Sequence, residues 1–224
     1  EHDRRHPVKS QTRPLASGLV TKNQALLLLV CLYAVLALGL LVQPAVVATI
    51  VGYILLNVAY TLHLKHVPVV DVFTVSIGFV ARVYVGALAL SVPLSAWMFI
   101  TTLCLALFLA TVKRRQELAN LGADGPGGTR RVLESYSVDL VETYAQMSAV
   151  SALLFYSLFV MTSRPELVAS IPFVLFGLFR YWYLVDQAGD GESPTDALLS
   201  DAVLLGTVVV WAGVSAWAVW PNAI

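Results

Sequence analysis

Seven apolar segments, each about as long as a membrane-spanning helix, dominate this chain of 224 residues. A helix needs about 20 consecutive apolar residues to cross the hydrocarbon core of a bilayer. Charged residues make up only 12% of the chain, against about 25% in soluble domains. A soluble enzyme fold is therefore excluded. The segments lie at 24–42, 45–62, 69–90, 94–112, 140–161, 167–185 and 197–220.

The apolar character of these segments is continuous in every direction. Strands of a membrane β-barrel are shorter and alternate between apolar and polar residues, so the pattern favours helices. No internal repeat or change in composition marks a second domain. The prediction is an all-α, polytopic membrane helix bundle, formed as a single domain over residues 1–224.

Positive charge collects on alternate connections between the segments. Eleven of the fourteen Lys and Arg lie at 1–22, at Lys65 and at 113–138, whereas the other connections carry only Arg164. Because basic loops stay on the cytoplasmic side, we expect these segments in the cytoplasm and the C-terminus outside. The formal net charge of zero gives no reason to expect a nucleic-acid partner. An aromatic belt at the outer interface would then contain Trp97, Trp217 and Trp220.

A first group of candidate residues opens the chain, where an acidic pair stands beside a basic run. Carboxylates hold Mg²⁺ through oxygen ligands, and Lys or Arg neutralise the phosphate oxygens that remain. A diphosphate ligand needs this mixture of residues. The alternative is a basic segment beside the membrane that is attracted to anionic lipid. The group contains Glu1, Asp3, Arg4, Arg5, His6, Lys9 and Arg13.

A second group surrounds the connection between the second and third segments and includes Tyr60, Lys65 and Asp71. Arg82 follows Asp71 by 11 residues, about 16 Å along a helix, so these two side chains cannot pair directly. A charge half-way into a membrane span is costly and normally faces a polar cavity or a partner. We therefore expect Arg82 to face one of these.

A third group, Lys113, Arg114, Arg115 and Glu117, stands at the end of the fourth segment. Lys113 and Glu117 are four residues apart and could form a weak intrahelical pair. Three cations also suit the negative end of a helix dipole, so a phosphate site and an ordinary helix end remain equally open.

Two helix starts can also be assigned from the sequence. Ser193, Pro194 and Asp196 have the order of an N-cap, N1 and N3 and would begin the last helix. Ser137, with Asp139 after it, would begin the fifth helix in the same manner. Asp196 and Asp139 then have a structural role at the start of a helix.

These segments together resemble the UbiA prenyltransferase superfamily, and within it the branch that transfers phosphoribose to polyprenyl phosphates. Glu1-His2-Asp3 resembles the end of the acidic motif N-D-x-x-D-x-E-x-D. The resemblance continues through ArgHisPro at 5–7, ArgProLeuAlaSerGly at 13–18, TyrThrLeuHisLeuLysHis at 60–66, Asp71, GlyPhe at 78–79, Arg82, LysArgArgGlnGluLeu at 113–118, LeuGluSerTyr at 133–136, PheArgTyr at 179–181 and the stretch at 192–201.

The resemblance implies that the seven helices correspond to helices three to nine of a nine-helix fold. The remaining acids of the first motif would then lie upstream of Glu1. Aromatic prenyltransferases of the superfamily carry a second motif, D-x-x-x-D, where this chain has the segment 113–117. A cationic segment suits direct binding of phosphate oxygens, whereas a second aspartate pair would hold another Mg²⁺.

The implied reaction transfers 5-phosphoribose from phosphoribosyl diphosphate to a polyprenyl phosphate, with Mg²⁺ or Mn²⁺ as cofactor. It would take place at the cytoplasmic face of a bacterial cytoplasmic membrane. One alternative is prenyl transfer from a polyprenyl diphosphate to an aromatic acceptor, and another is a transporter or scaffold without enzymatic activity. The resemblance implies Glu1 and Asp3 as metal ligands, Asp3, Lys113 and Glu117 as catalytic residues, and Arg4, Lys9, Arg13, Tyr60, Lys65, Arg82, Arg114, Tyr136 and Arg180 as substrate contacts.

A metal role for Asp3 predicts that transfer stops in excess chelator. Asp3→Asn should lower activity even when Mg²⁺ is raised severalfold, because Asn keeps the size of the side chain but removes the anion. The measurement is phosphoribosyl transfer by the membrane-embedded protein at several metal concentrations. Full activity of the Asn variant would contradict the assignment.

Overall fold

The computed structural model describes residues 19–39, 41, 43–124, 131–188 and 194–220. Short 3-10 turns lie at Leu64–His66, Arg131–Ser135 and Pro165–Ser170. The α-helices in these ranges are α1 (Lys22–Gly39), α2 (Pro44–Leu62), α3 (Val70–Ala89), α4 (Ala96–Asp124), α5 (Val138–Ser163), α6 (Ile171–Ala188), α7 (Pro194–Ser200) and α8 (Ala202–Val219).

In the described ranges, seven stretches of helix are long and apolar enough to cross a membrane. Each of them matches one of the seven predicted segments, five to within a few residues, which confirms the all-α, polytopic prediction. Trp97 lies at the start of α4 and Trp220 directly follows α8, so both stand at helix ends as an interfacial belt requires. Which of the two faces is the outer one stays a prediction.

The chain divides into two compact units, one from Glu1 to Val51 and the other from Gly52 to Ile224. In the first unit, Val47 is buried, and a Cβ added at Gly39 would come within 3.2 Å of its side chain. In the second unit, α4 packs along both α3 and α5, and α8 packs on α6 and on the turn Pro165–Ser170.

The apolar core of the second unit gathers where α4, α5, α6, α7 and α8 meet. Phe108 of α4 lies at its centre, with its ring edge-on to Tyr181 at 5.7 Å and stacked on Trp182 at 5.8 Å between centroids. Such aromatic pairs add to the free energy gained from burial alone. This core fixes the part of α4 that directly precedes the 113–117 segment. Its buried members are Phe108, Val112, Ala145, Tyr181, Val185, Ala197 and Leu204.

The fourth helix is longer than predicted. Its apolar part was expected to end at residue 112, but α4 continues to Asp124 and carries the segment 113–117 as regular helix. Lys, Arg, Gln, Glu and Leu all have high helix propensity, so this sequence propagates the helix after the apolar run has ended. The side chains of 113–117 are therefore spaced at 3.6 residues per turn.

The last predicted span is interrupted. It was expected to run unbroken from residue 197, but the membrane-spanning helix α8 begins at Ala202, with Asp201 as its N-cap. The Asp201 carboxylate accepts the Leu204 N–H at 2.6 Å and a hydrogen bond from Arg180 Nη2 at 2.7 Å. The Arg180 guanidinium lowers the pKa of Asp201, so the pair stays ionised at neutral pH.

The predicted helix starts have different outcomes. Ser137 caps α5 by accepting the Leu140 N–H at 3.2 Å, which confirms its assignment. Pro194 begins α7, a short helix that precedes the membrane-spanning one. Ser193, the predicted cap, lies outside the described residues. The predicted start thus belongs to a different helix from the one expected.

Candidate functional site

A fully buried carboxylate, Asp71, lies in the first turn of α3. Its Oδ2 accepts a hydrogen bond from Arg114 Nε at 2.8 Å, and its Oδ1 accepts one from the Tyr136 hydroxyl at 2.7 Å. Both oxygens are thus used inside the protein. The three side chains join the start of α3, the extended end of α4 and the segment that precedes α5.

The Arg114 guanidinium, whose residue is only 4% exposed, holds two further partners. Nη1 donates to Glu117 Oε2 at 2.6 Å, and Nη2 donates to the Tyr60 hydroxyl at 3.3 Å. Glu117 therefore pairs with Arg114, and the possible intrahelical pair between Lys113 and Glu117 does not form. We call this group the Asp71 cluster; it consists of Tyr60, Asp71, Arg114, Glu117 and Tyr136.

Tyr136 is the member of the Asp71 cluster whose ionisation is most restricted. Burial raises its pKa to about 12, and the hydrogen bond to Asp71 acts in the same direction. Its hydroxyl therefore stays protonated at neutral pH and donates to the carboxylate. A substrate-contact role was expected for Tyr136, but its side chain is buried and its hydroxyl is bonded within the protein.

Two lysines stand beside this cluster without being neutralised by it. Lys113 directly precedes Arg114 on α4 and is exposed, and Lys65 is half-buried in the 3-10 turn Leu64–His66. Within the described parts of the chain, neither lysine forms an ion pair. The turn that carries Lys65 contacts the turn Arg131–Ser135, which leads directly to Tyr136. Both cations are thus attached to segments that the Asp71 cluster holds in place.

Arg82 lines a separate pocket between α2 and α3, with a volume of about 80 Å³. Its Nη2 donates to the Tyr53 hydroxyl at 2.5 Å, and its guanidinium lies 4.7 Å from the centroid of the Phe79 ring. As predicted, Arg82 does not pair with Asp71. Asn57 also lines this pocket, and so does Tyr60 of the Asp71 cluster.

Tyr53 and Asn57 were not identified from the sequence. With Tyr60 they recur at spacings of four and three residues, which places all three on one face of α2. This polar stripe on an otherwise apolar membrane helix could therefore have identified Tyr53 and Asn57 from the sequence.

The remaining cations of this region have acidic partners of their own. Arg115 pairs with Glu142 at 3.3 Å and with Asp186 at 2.8 Å, and so ties α4 to α5 and α6. Arg180, expected to contact substrate, instead donates to both carboxylate oxygens of Asp201. The structure therefore does not bring Arg180 into the Asp71 cluster.

The predicted metal ligands Glu1 and Asp3 lie outside the described residues, together with Arg4, Lys9 and Arg13. Among the residues that the structure does describe, no three His, Cys, Asp or Glu side chains come together as a metal site. Asp71 has both oxygens occupied, so it does not fit a metal ion either. A Mg²⁺ site thus stays a prediction that rests on Glu1 and Asp3.

Sequence comparison agrees with this arrangement of apolar helices and buried charges. Residues 1–200 match the profile of the UbiA prenyltransferase family. The chain therefore belongs to the UbiA prenyltransferase family, and it is a multi-pass membrane protein.

Three curated relatives are similar over nearly the whole chain, and each is named decaprenyl-phosphate phosphoribosyltransferase. The protein from Corynebacterium glutamicum is 32% identical over 94% of this chain and 66% of its own length. The one from Mycobacterium tuberculosis is 32% identical over 94% and 70%, and the one from Mycolicibacterium smegmatis is 31% identical over 98% and 73%. The chain thus spans about two thirds of the length of these relatives.

The geometry of the Asp71 cluster predicts a large loss of stability on Asp71→Ala. Removing one partner of a buried ion pair leaves an uncompensated charge, which typically costs about 3–5 kcal/mol. The measurement is the free energy of unfolding in mixed detergent micelles. Asp139→Ala is the matched control, because Asp139 is an exposed acid in the first turn of α5. Equal effects of the two substitutions would contradict a structural role for the Asp71–Arg114 pair.

Proposed function

We propose that this protein transfers 5-phosphoribose from phosphoribosyl diphosphate to a polyprenyl phosphate and releases pyrophosphate. The observation that carries the proposal is that two lysines, Lys65 and Lys113, form no ion pair with a described acid, although they stand beside a cluster whose charges are matched. Unmatched cations at the end of a membrane helix bundle suit a ligand that is rich in phosphate oxygens. The names of the three relatives support the same reaction.

The proposed reaction forms one bond and breaks one bond at the anomeric carbon of ribose. A phosphate oxygen of the lipid attacks C1, and the bond between C1 and the pyrophosphate oxygen breaks with its electron pair on the leaving group. The nucleophile is already an anion, so no general base is needed. Catalysis then consists of holding two polyanions together and stabilising the charge that develops on pyrophosphate.

Residues in and beside the Asp71 cluster have different proposed roles in this reaction. Lys113 and Lys65 supply charge to phosphate oxygens, because their ammonium groups are not neutralised by a described acid. Arg114, an expected phosphate contact, has three donors bonded within the protein, so we propose that it orients Glu117 and Tyr60. Glu117 then lies one helical turn from Lys113, where its carboxylate can accept a hydrogen bond from a ribose hydroxyl.

Arg82 is proposed to contact the lipid substrate. Its guanidinium lies within the span of α3, where uncompensated charge is costly, and its described partners are aromatic rings and a hydroxyl. An anionic or polar group of the lipid would complete its environment. The proposed site therefore extends from the lysines along the polar face of α2.

The proposed cofactor is Mg²⁺ or Mn²⁺, and Glu1 and Asp3 are the residues that would hold it. When bound, a divalent cation would supply positive charge that stabilises the leaving group. The site is proposed to face the cytoplasm, because the basic segments mark that side of the membrane. Within the described residues, the charge that binds phosphate oxygens in this proposal comes from cationic side chains.

The experiment that tests the function is a product assay with the membrane-embedded protein. Phosphoribosyl diphosphate and a labelled polyprenyl phosphate should give a phosphoribosylated lipid and pyrophosphate. Conversion of a polyprenyl diphosphate and an aromatic acceptor, with phosphoribosyl diphosphate ignored, would contradict the proposal and favour aromatic prenyl transfer. Absence of both products, in protein shown to be folded, would favour a transporter or scaffold.

Lys113→Ala should lower phosphoribosyl transfer about ten- to a hundredfold, because a charge-assisted contact of about 1.5–3 kcal/mol is lost. Lys113→Arg keeps the positive charge and should retain more activity than the Ala variant. Steady-state kinetics with both substrates provide the measurement, and membrane insertion of each variant is the control. Unchanged kinetics of the Ala variant would assign Lys113 to an ordinary helix end.

A further inference from the structure

The turn that leads into α3 is strained at Val69. The φ angle of this residue is 68° and its ψ angle is −46°, and the Val70 N–H donates to the Pro68 carbonyl at 2.8 Å. These values define a γ-turn of the rare, positive-φ kind. A β-branched residue is a true outlier in this region, because its Cβ crowds the backbone. Such a conformation persists only where surrounding contacts hold it.

The turn has backbone hydrogen bonds into α3, from Asp71 N–H to the Val67 carbonyl and from Phe73 N–H to the Val69 carbonyl, and a side-chain contact from the Tyr136 hydroxyl. This hydroxyl accepts the Val69 N–H at 2.5 Å and donates to Asp71 Oδ1 at 2.7 Å. Asp71 itself is fixed through Oδ2 by Arg114. One buried hydroxyl therefore bonds both the strained residue and the buried carboxylate two positions further on.

The strained turn controls the path of the segment that carries Lys65. The 3-10 turn Leu64–His66 ends only three residues before Val69, and the chain between them contains Pro68, whose φ is fixed by its ring. A change of φ at Val69 would rotate this whole segment relative to α3. The position of the Lys65 ammonium group thus depends on the conformation of Val69.

We propose that Tyr136 is a positioning residue that holds the Pro68–Val70 turn in its strained form and thereby places Lys65 over the candidate site. Without the hydroxyl, Val69 relaxes to a negative φ and Lys65 moves away. That Lys65 acts on a phosphate rests on the proposed function, whereas the dependence of its position on Tyr136 does not. This assignment replaces direct substrate contact as the role of Tyr136.

The test combines Tyr136→Phe with a glycine at the strained position. Tyr136→Phe keeps the ring but removes two hydrogen bonds, and it should lower phosphoribosyl transfer by about tenfold or more. Val69→Gly in the same protein should restore most of this loss, because glycine adopts φ near 68° without strain. In the wild-type background the same glycine should change activity little, since Tyr136 still holds the turn.

The matched control is Val67→Gly combined with Tyr136→Phe. Val67 has an ordinary φ of −104°, so glycine there adds flexibility without relieving strain, and it should not restore activity. Rescue by both glycines, or by neither, would overturn the proposal. Rescue by neither glycine would instead assign the loss in Tyr136→Phe to Asp71 Oδ1, which would lack its hydrogen-bond donor. An unimpaired Tyr136→Phe variant would also overturn it.

A second measurement does not depend on the activity. The chain has four lysines, Lys9, Lys22, Lys65 and Lys113, so labelling by an amine-reactive reagent can be resolved by mass spectrometry. Tyr136→Phe should change the labelling rate of Lys65 relative to Lys22, and adding Val69→Gly should return it to the wild-type value. An unchanged rate would overturn the proposal. If labelling responds as expected but no phosphoribosyl transfer occurs, the positioning role stands and the proposed function fails.

Discussion

The buried ion pair between Asp71 and Arg114 is the constraint on which the candidate site depends. Removing two charges from water is expensive, and their attraction repays this only when the remaining hydrogen-bonding positions are also filled. Both Asp71 oxygens are filled, and three Arg114 nitrogens have acceptors. The start of α3 and the end of α4 therefore cannot slide past each other without exposing an unpaired charge. Lys65 and Lys113, which pair with no described acid, are attached to these two segments, so the Asp71–Arg114 pair also sets where these two cations stand.

Three consecutive cations on α4 have three different roles because each residue of a helix is rotated by about 100° from the previous one. Arg114 turns toward α3 and meets Asp71, whereas Arg115 turns toward Glu142 of α5 and Asp186 of α6. Lys113 faces neither of these partners and stays exposed. Only a regular helix separates the side chains in this way. The extension of α4 beyond its apolar part is thus a requirement of the site.

Hydropathy alone predicted the spans, because a helix in lipid must be apolar over its whole length. Hydropathy could not predict the continuation of α4, because the charges of Arg114 and Arg115 there are matched by acids within the protein. It also could not predict the break at Asp201, whose carboxylate both caps α8 and pairs with Arg180. The residue types of the site were found from spacing and resemblance. The pairing of these residues could not be predicted, because Asp71 lies 43 residues from Arg114 and 65 from Tyr136 in the chain. Such distant contacts leave no local pattern in one sequence.

The pairing also explains how a chain with a formal net charge of zero can concentrate positive charge beside the Asp71 cluster. Acids on the described helices neutralise Arg114, Arg115 and Arg180 inside the protein. Arg82 is stabilised by aromatic rings and a tyrosine hydroxyl, which leave its charge in place. Among the described residues, the positive charge at the candidate site therefore comes from cations that form no ion pair with a described acid, and the net charge of the whole sequence does not reveal it. The arginines that join the described helices carry counter-charges, whereas Lys65 and Lys113 pair with no described acid and are the groups that the proposed function assigns to phosphate.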